Sequence, residues 1–419
     1  MKPRIHICLP TLLLACLSAD SQKISKSDKI ILANLQAHIH SLAADTAGGR
    51  ITGSSGERAT GDYVISELSK TAARSKGDNN GWLQKFTIDQ GRQIADNAAF
   101  IVDEHTLVVG KEWFPLSLSP AGEITGSPAI ALPESGVPWF QDIREWLETG
   151  TDNPHVDLIG AIRARAAACA KKGATALILY NSSTRSERDK LAFNPTDRPE
   201  PAAIPVLYIT HEAKRKYLKD ESASVDIRIR INYSEKKQSG NNVVAFLDNG
   251  APTTVVIGTR YDNVSGLAGM IELARLLSVS KLKNNNYLFI VFAGSRTVAT
   301  GSDYYAGHPV VDLKKVNYLL ELDRLAVLND TLTVSGHYTS SGWTLIEKKG
   351  LPIRYDSSAT QKGDQAAFYR QQIPTLVFST GSGADDNDVA GCPGELQVVK
   401  HIFALIESAD TRGRLSFTP

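Results

Sequence analysis

Residues 255–277 read VVIGTRYDNVSGLAGMIELARLL, two apolar runs joined by a short polar stretch. The first run, over 254–259, is rich in β-branched residues and predicts a strand buried on both faces. The second run, over 265–277, has apolar residues at helical spacing and predicts a buried helix. A buried strand that leads directly into a helix is typical of an α/β fold.

The rest of the C-terminal half repeats this alternation. Apolar runs predict further strands at 242–247, 287–293, 316–322 and 375–379, and a last helix at 395–407. We therefore predict a mainly parallel sheet flanked by helices. Ligands bind beyond the carboxyl ends of the strands in such sheets, so the residues that follow each apolar run are the candidate site.

The composition excludes one large class of function. The chain has 419 residues, and 46 Lys plus Arg nearly cancel 45 Asp plus Glu, for a net charge of +1. A protein that captures nucleic acid needs a basic patch, and the sequence contains no long basic run. No nucleic-acid partner is therefore expected.

The first residues predict where the protein is located. Residues 1–15 are a short positive start and an apolar stretch too short to span a bilayer, which predicts a signal peptide. The following Cys16 completes a sequence that resembles the bacterial lipobox, so we predict lipidation of Cys16 and a tether over 16–27. A Leu at position 17 favours the outer membrane, with the side of the membrane left open. The alternative is an ordinary signal peptide with an incidental Cys.

Residues 95–237 differ in character from their surroundings. Short strands and a region rich in Pro, Gly and Ser replace the long strand–helix alternation. We predict a β-rich module inserted into an α/β domain made of residues 28–94 and 238–419. Whether Cys169 in this module pairs with Cys392 is left open.

Four stretches of the α/β part carry a resemblance. Besides the opening stretch, they are IVFAGSRTVATGSDYY (290–305), LLELDR (319–324) and GDQAAFYRQQIPTLVFSTG (363–381). Their order resembles the di-zinc exopeptidase family, which includes bacterial leucyl aminopeptidases, glutaminyl cyclase and the transferrin receptor ectodomain. KKGATALILYN (171–181) and AIPVLYIT (203–210) resemble the protease-associated domain that many members carry as an insertion.

The resemblance implies that most of the family's metal site is missing. Active members hold two zinc ions with two His and three carboxylates, and a Glu acts as general base. Here Arg260 stands at the first His position, Ser295 and Arg296 stand at the Glu positions, and Asp262 and Asp323 remain. The loop after the last strand contains no His. We therefore expect no cofactor and no catalytic residue, with zinc held by Asp262 and Asp323 as the alternative.

The replacements suggest a specific arrangement. Arg260, Arg296 and Arg324 are expected to converge on Asp262 and Asp323, so that an ion network replaces the metal pair. The alternative is three separate surface arginines. A corollary of the network is a cleft that favours anions, such as a peptide C-terminal carboxylate.

These features predict a catalytically inactive lipoprotein that serves as a binding or scaffold subunit of a cell-envelope complex. Its expected partners are the membrane, through the lipid, and an envelope protein or a peptide. The alternatives are an active zinc aminopeptidase with an atypical metal site and a glutaminyl cyclase-like activity that requires the same metal. Asp385, Asp386 and Asp388 predict a solvated turn rather than a calcium loop.

Overall fold

The computed structural model describes residues 25–43, 50–147, 157–183, 191–294, 300–325, 328, 331–346, 351–357, 362–381 and 393–419. The chain divides into two compact units. One comprises Met1–Phe86 with Gly240–Pro419, and the other comprises Thr87–Ser239. The second unit begins earlier than the module predicted at 95–237, and the strand Leu83–Ile94 runs across this boundary.

The elements follow in chain order. The helices within the described ranges are α1 (Lys26–Ala43), α2 (Ser55–Ser69), α3 (Leu158–Lys171), α4 (His211–Tyr217), α5 (Val264–Val279), α6 (Thr300–Gly307), α7 (Trp343–Ile346), α8 (Gln365–Arg370) and α9 (Pro393–Asp410). The strands there are β1 (Arg74–Ser75), β2 (Leu83–Ile94), β3 (Ala99–Val102), β4 (His105–Thr106), β5 (Trp113–Pro115), β6 (Gly122–Gly126), β7 (Trp139–Asp142), β8 (Leu177–Tyr180), β9 (Val206–Ile209), β10 (Ile227–Ile231), β11 (Tyr233–Leu247), β12 (Thr253–Arg260), β13 (Asn285–Phe292), β14 (Val316–Leu322), β15 (Leu332–Ser335), β16 (Ile353–Asp356) and β17 (Thr375–Ser379).

The first unit is built on one large sheet. Its strand order is β1-β11-β13-β12-β14-β17-β15-β16, with β2 paired to β11. The central strands β13, β12, β14 and β17 run parallel, and β11 and β15 pair antiparallel on either side of them. The α/β fold class predicted from the sequence is confirmed.

Burial explains why the central strands lack polar alternation. Every residue of β13 and of β14 is buried. Helix α5 is buried along most of its length, and α1, α2 and α9 pack against it. Helices α6 and α8 pack on each other, and both contact the central strands. Strands covered on both faces exclude water, so their sequences read as continuous apolar runs.

The second unit contains two small sheets. One has the order β4-β3-β10-β6, and the other has the order β5-β9-β8-β7. Each sheet contributes to an apolar core, one centred on residues such as Phe100 and Trp113 and one on residues such as Ile162 and Leu179. Helix α3 ends before Gly173, whose φ of +96° favours glycine. Cys169 is buried in this unit as a free thiol, and Cys392 lies outside the described residues.

The predicted membrane anchor also lies outside the described residues, which begin at Ser25 and so exclude Cys16 and the signal peptide. Within the described ranges, no helix has both the length and the apolar character needed to cross a bilayer.

Candidate functional site

The candidate site lies at the carboxyl ends of the parallel strands of the first unit. Arg260 is the last residue of β12, and Asp323 directly follows β14. Because the two strands are parallel neighbours, their ends meet at one edge of the sheet. The short connection between β12 and α5 brings Asp262 to the same edge.

The Arg260 guanidinium lies among three aspartates. Its Nε donates to Asp262 Oδ1 at 3.0 Å, and its Nη2 donates to Asp323 Oδ1 at 3.2 Å. Its Nη1 lies 3.9 Å from Asp364 Oδ2. The Arg260 side chain is only 8% exposed, so it is not a separate surface arginine.

Two buried carboxyl groups near Arg260 were not predicted. Asp364 precedes α8, and its side chain is 2% exposed. Glu321 lies in β14, two residues before Asp323, so both side chains leave the same face of the strand. Neither carboxyl oxygen of Glu321 has a hydrogen-bond partner among the described residues. A charged residue within the apolar run LLEL was the signal that could have identified Glu321.

A glycine makes room for the Glu321 carboxyl group. Gly258 of β12 is the register partner of Glu321 in the neighbouring strand. A Cβ atom on Gly258 would lie 2.9 Å from Glu321 Oε2 and 2.7 Å from a ring carbon of Phe292. Any larger residue at position 258 would therefore displace the buried carboxyl group or the aromatic ring.

The electrostatics follow from burial and from the arginine. Burial lowers the pKa of Arg260, but the surrounding carboxyl groups raise it by more, so that it ends above its ordinary value. Burial raises the pKa of Asp364 to about 6, against the lowering effects of a hydrogen bond from Ser302 and of the Arg260 charge. Burial, with the nearby Asp364, raises the pKa of Glu321 well above its ordinary value. One cation therefore faces four acidic groups, at least one of which favours its protonated form.

Asn263 joins the loops that carry these residues. Its Oδ1 accepts from Gly266 N at 2.9 Å, which caps α5, and also from Arg324 N at 3.2 Å. Its Nδ2 donates to the carbonyl oxygen of Leu322 at 2.6 Å. The carbonyl of Arg324 in turn accepts from Thr380 N at 2.9 Å, beyond the end of β17. The segments after β12, β14 and β17 are thereby held in one arrangement.

Arg324 takes part in this hydrogen-bond arrangement through its backbone. Its φ of +47° is unusual for a residue with a side chain, and two backbone hydrogen bonds hold it there. Its guanidinium forms no ion pair with any residue that the structure describes. The expectation that Arg324 converges on the aspartates is therefore not met within those residues. Ser295, Arg296 and the acidic residues Asp385, Asp386 and Asp388 lie outside them.

The side chains around Arg260 do not form a ligand set for the zinc that the family resemblance implies. Zinc sites use His nitrogen, Cys sulfur and carboxylate oxygen as metal ligands. A guanidinium has only hydrogen-bond donors and a positive charge, so it cannot act as a ligand to a cation. Among the described residues, no group of three or more His, Cys, Asp or Glu side chains is arranged to hold a metal ion. Neither 295–299 nor 382–392 contains a His. No chemical step through zinc is derived for this site.

The Arg260 guanidinium itself gives no support to the expected preference for anions, which stays a prediction. Arg260 is already engaged by Asp262 and Asp323, and its side chain is nearly fully buried. The carboxylates that pair with Arg260 are themselves partly exposed, Asp262 at 40% and Asp323 at 21%. Exposed carboxylates beside a buried, paired cation disfavour an approaching anion.

Comparisons with solved structures align most of the chain, at low identity and with TM-scores below 0.5. An aminopeptidase from Aneurinibacillus sp. strain AM-1 is 17% identical, with a TM-score of 0.48 over 92% of this chain and 96% of that chain. A zinc aminopeptidase from Bacillus subtilis is 16% identical, with a TM-score of 0.46 over 90% and 94%. A Peptidase M28 precursor from Shewanella amazonensis is 15% identical, with a TM-score of 0.41 over 94% and 98%.

Sequence comparison is more specific about one part of the chain. No curated protein matches the chain significantly. Residues 241–391 match the model of Peptidase family M28. This stretch includes Arg260, Asp262, Asp323 and Asp364, so the part of the chain that forms the candidate site carries the sequence pattern of Peptidase family M28.

Proposed function

We propose that this protein is a lipid-anchored envelope protein whose M28-like domain binds or scaffolds other molecules and does not hydrolyse peptides. One observation carries the proposal. The Arg260 guanidinium lies between Asp262 and Asp323, within 3.0 Å of one and 3.2 Å of the other. In the family resemblance, these two aspartates are the retained metal ligands.

The chemistry of hydrolysis explains why this exchange matters. A metal ion activates water by lowering its pKa and by polarising the substrate carbonyl. A guanidinium has no coordination site and does not release a proton near neutral pH, so it cannot lower the pKa of a water molecule in that way. Hydrolysis also requires a group that accepts the proton of water, and Ser295 stands at the expected position of the family's Glu.

The proposed role then depends on partners. We propose that a lipid at Cys16 holds the protein at the outer membrane and that the folded domain engages an envelope protein or a peptide. We propose further that the second unit corresponds to a protease-associated-like insertion. Co-purification from detergent-solubilised membranes would identify a stable companion.

The second candidate is an active zinc aminopeptidase, which the match of residues 241–391 to Peptidase family M28 favours. Zinc analysis of the purified protein and an aminoacyl-arylamide assay separate the two candidates. We expect less than stoichiometric zinc and no turnover. Stoichiometric zinc together with chelator-sensitive turnover that Asp323→Asn abolishes would overturn the proposal. Turnover that persists in Asp323→Asn would come from a contaminant or from another site.

The anchor has its own test. We expect Cys16→Ala to move the protein from the membrane fraction to the soluble fraction, because the acylation site is lost. Cys8→Ala is the matched control and should leave the protein in the membrane fraction. Retention of Cys16→Ala in the membrane would contradict the lipid anchor.

A further inference from the structure

A recess lies in the first unit, and it shares no lining residue with the Arg260 cluster, although Tyr261 stands between Arg260 and Asp262 in the chain. It is a cavity of about 270 Å³ between helix α2 and the first residues of β2. This volume lies just below the range of about 300–1,000 Å³ that is usual for ligand pockets, so the cavity suits only a very small ligand. The side chains that matter for its chemistry are Arg58, Asp62, Leu83, Lys85 and Tyr261.

Tyr261 forms the inner wall of the cavity. Its side chain is 2% exposed. Gly61 of α2 allows its hydroxyl to approach the helix, because a Cβ at position 61 would lie 3.2 Å from that oxygen. Tyr261 lines the cavity, and its hydroxyl has no hydrogen-bond partner among the described residues. A hydroxyl that makes no hydrogen bond within the protein is available to a water molecule or a ligand.

Charges of both signs line the cavity. Arg58 and Lys85 are cations, and Asp62 is an anion. None of the three forms an ion pair with another residue in the described part of the chain. The Glu57 carboxylate is already engaged, since it accepts from the backbone nitrogens of Gly53 and Asn241. Burial, with the charges of Glu57 and Asp62, raises the pKa of Tyr261, so its hydroxyl remains a donor.

We propose that this cavity binds a free α-amino acid. A small zwitterion matches the two signs of charge, because its carboxylate can pair with Arg58 or Lys85 and its ammonium group can pair with Asp62. The Tyr261 hydroxyl donates to the ligand carboxylate. Leu83 offers an apolar wall for the ligand side chain. This site shares no lining residue with the Arg260 cluster, and its test does not depend on whether that cluster is catalytic.

Calorimetric titration of the full chain with L-leucine tests the proposal. N-acetyl-leucine lacks the ammonium group and leucinamide lacks the carboxylate, so each should bind at least about 10-fold more weakly than leucine. Asp62→Asn should weaken leucine binding about 10-fold, and Tyr261→Phe should weaken it about 2- to 10-fold. Lys85→Met should also weaken it, whereas Lys29→Met, which removes an exposed cation of α1, is the matched control.

Three results would overturn the proposal. The first is no binding of leucine at about 10 mM, which corresponds to less than about 3 kcal/mol of binding free energy. The second is N-acetyl-leucine or leucinamide binding as tightly as leucine. The third is leucine binding that Asp62→Asn and Tyr261→Phe leave unchanged while both variants keep the melting temperature of the natural protein.

Discussion

The two ends of the large sheet treat their polar residues differently. At the amino ends of the strands, Asn285 Oδ1 accepts from Thr253 at 2.7 Å and from Asn317 at 3.1 Å. Asn285 Nδ2 donates to Asp410 at 3.3 Å. At the carboxyl ends, one arginine faces several carboxyl groups, and Glu321 has no hydrogen-bond partner among the described residues.

The difference distinguishes polar residues that stabilise the fold from polar residues that form a candidate functional site. The groups paired at the amino ends are neutral amides and a hydroxyl, with Asp410 as the one ionisable partner, and paired neutral groups stabilise a fold modestly without titrating. A buried cluster with more carboxyl groups than cations contributes little to stability, because desolvation offsets the attraction between charges. We therefore expect a function, present or lost, at the carboxyl ends of the strands. The amino ends of the strands, which we call the amide-lined end, bond to the C-terminal helix α9 through Asn285 and Asp410.

The largest expected effect comes from Arg260→Met. This change leaves Asp364 and Glu321 buried without their cation, and breaking a buried ion pair costs about 3–5 kcal/mol. Urea denaturation should show that loss in the free energy of unfolding near neutral pH. Arg260→Lys is the control, since it keeps the charge but not the planar donors, and it should lose less. A loss below about 1 kcal/mol for Arg260→Met would contradict the proposed cluster.

Asn285→Ala tests the amide-lined end. It removes three hydrogen bonds and leaves the buried side chain of Asn317 without one partner, so we expect a loss of about 1–3 kcal/mol. The loss should depend less on salt than that of Arg260→Met, since Asp410 is the one ionisable partner of Asn285 and the other two partners are neutral. A salt dependence as large as that of Arg260→Met would remove the distinction between the two ends.

The raised pKa of Asp364 predicts that the free energy of unfolding depends on pH. Its pKa is about 6 in the folded protein, above the ordinary value of 3.8. The folded state therefore binds more protons than the unfolded state between these values. The contribution of Asp364 to the free energy of unfolding falls as the pH rises through this window.

Asp364→Asn removes that titration. The natural protein should be more stable relative to Asp364→Asn at about pH 4 than at about pH 7. Unfolding curves of both proteins across this range provide the measurement. A stability difference that does not change with pH, or that changes in the opposite direction, would contradict the assignment.

The smallest effect is expected for Asp262→Asn. The Asp262 side chain is 40% exposed, and water screens its pairing with Arg260. We expect a loss of less than about 1 kcal/mol, which high salt should reduce further. The same unfolding assay checks it, and a loss as large as that of Arg260→Met would show that Asp262 is as important as the buried groups.

Much of the fold could be predicted from the sequence because the central strands are buried on both faces. The strand predicted at 316–322 is β14, and the strand predicted at 375–379 is β17. The flanking strands β15 and β16 were not predicted. They are four residues long, and β16 is partly exposed, so no continuous apolar run indicates it.

The site was predictable only where it follows the strand ends. Arg260, Asp262 and Asp323 come directly after two apolar runs, and parallel strands bring such positions together. Asp364 is distant in sequence and reaches the cluster through the placement of α8 against the sheet. The guanidinium of Arg324 was expected to converge on the aspartates. The backbone of Arg324 is instead left-handed, and it forms hydrogen bonds with Asn263 and Thr380.

Crystals grown with excess zinc and measured at the zinc absorption edge would test the central claim most directly. If a fixed guanidinium has taken the place of the metal, the electron density of Arg260 will be continuous between Asp262 and Asp323. No anomalous peak will then lie within about 2.5 Å of either carboxylate. One or two strong anomalous peaks bound to these aspartates, with Arg260 displaced, would contradict the account.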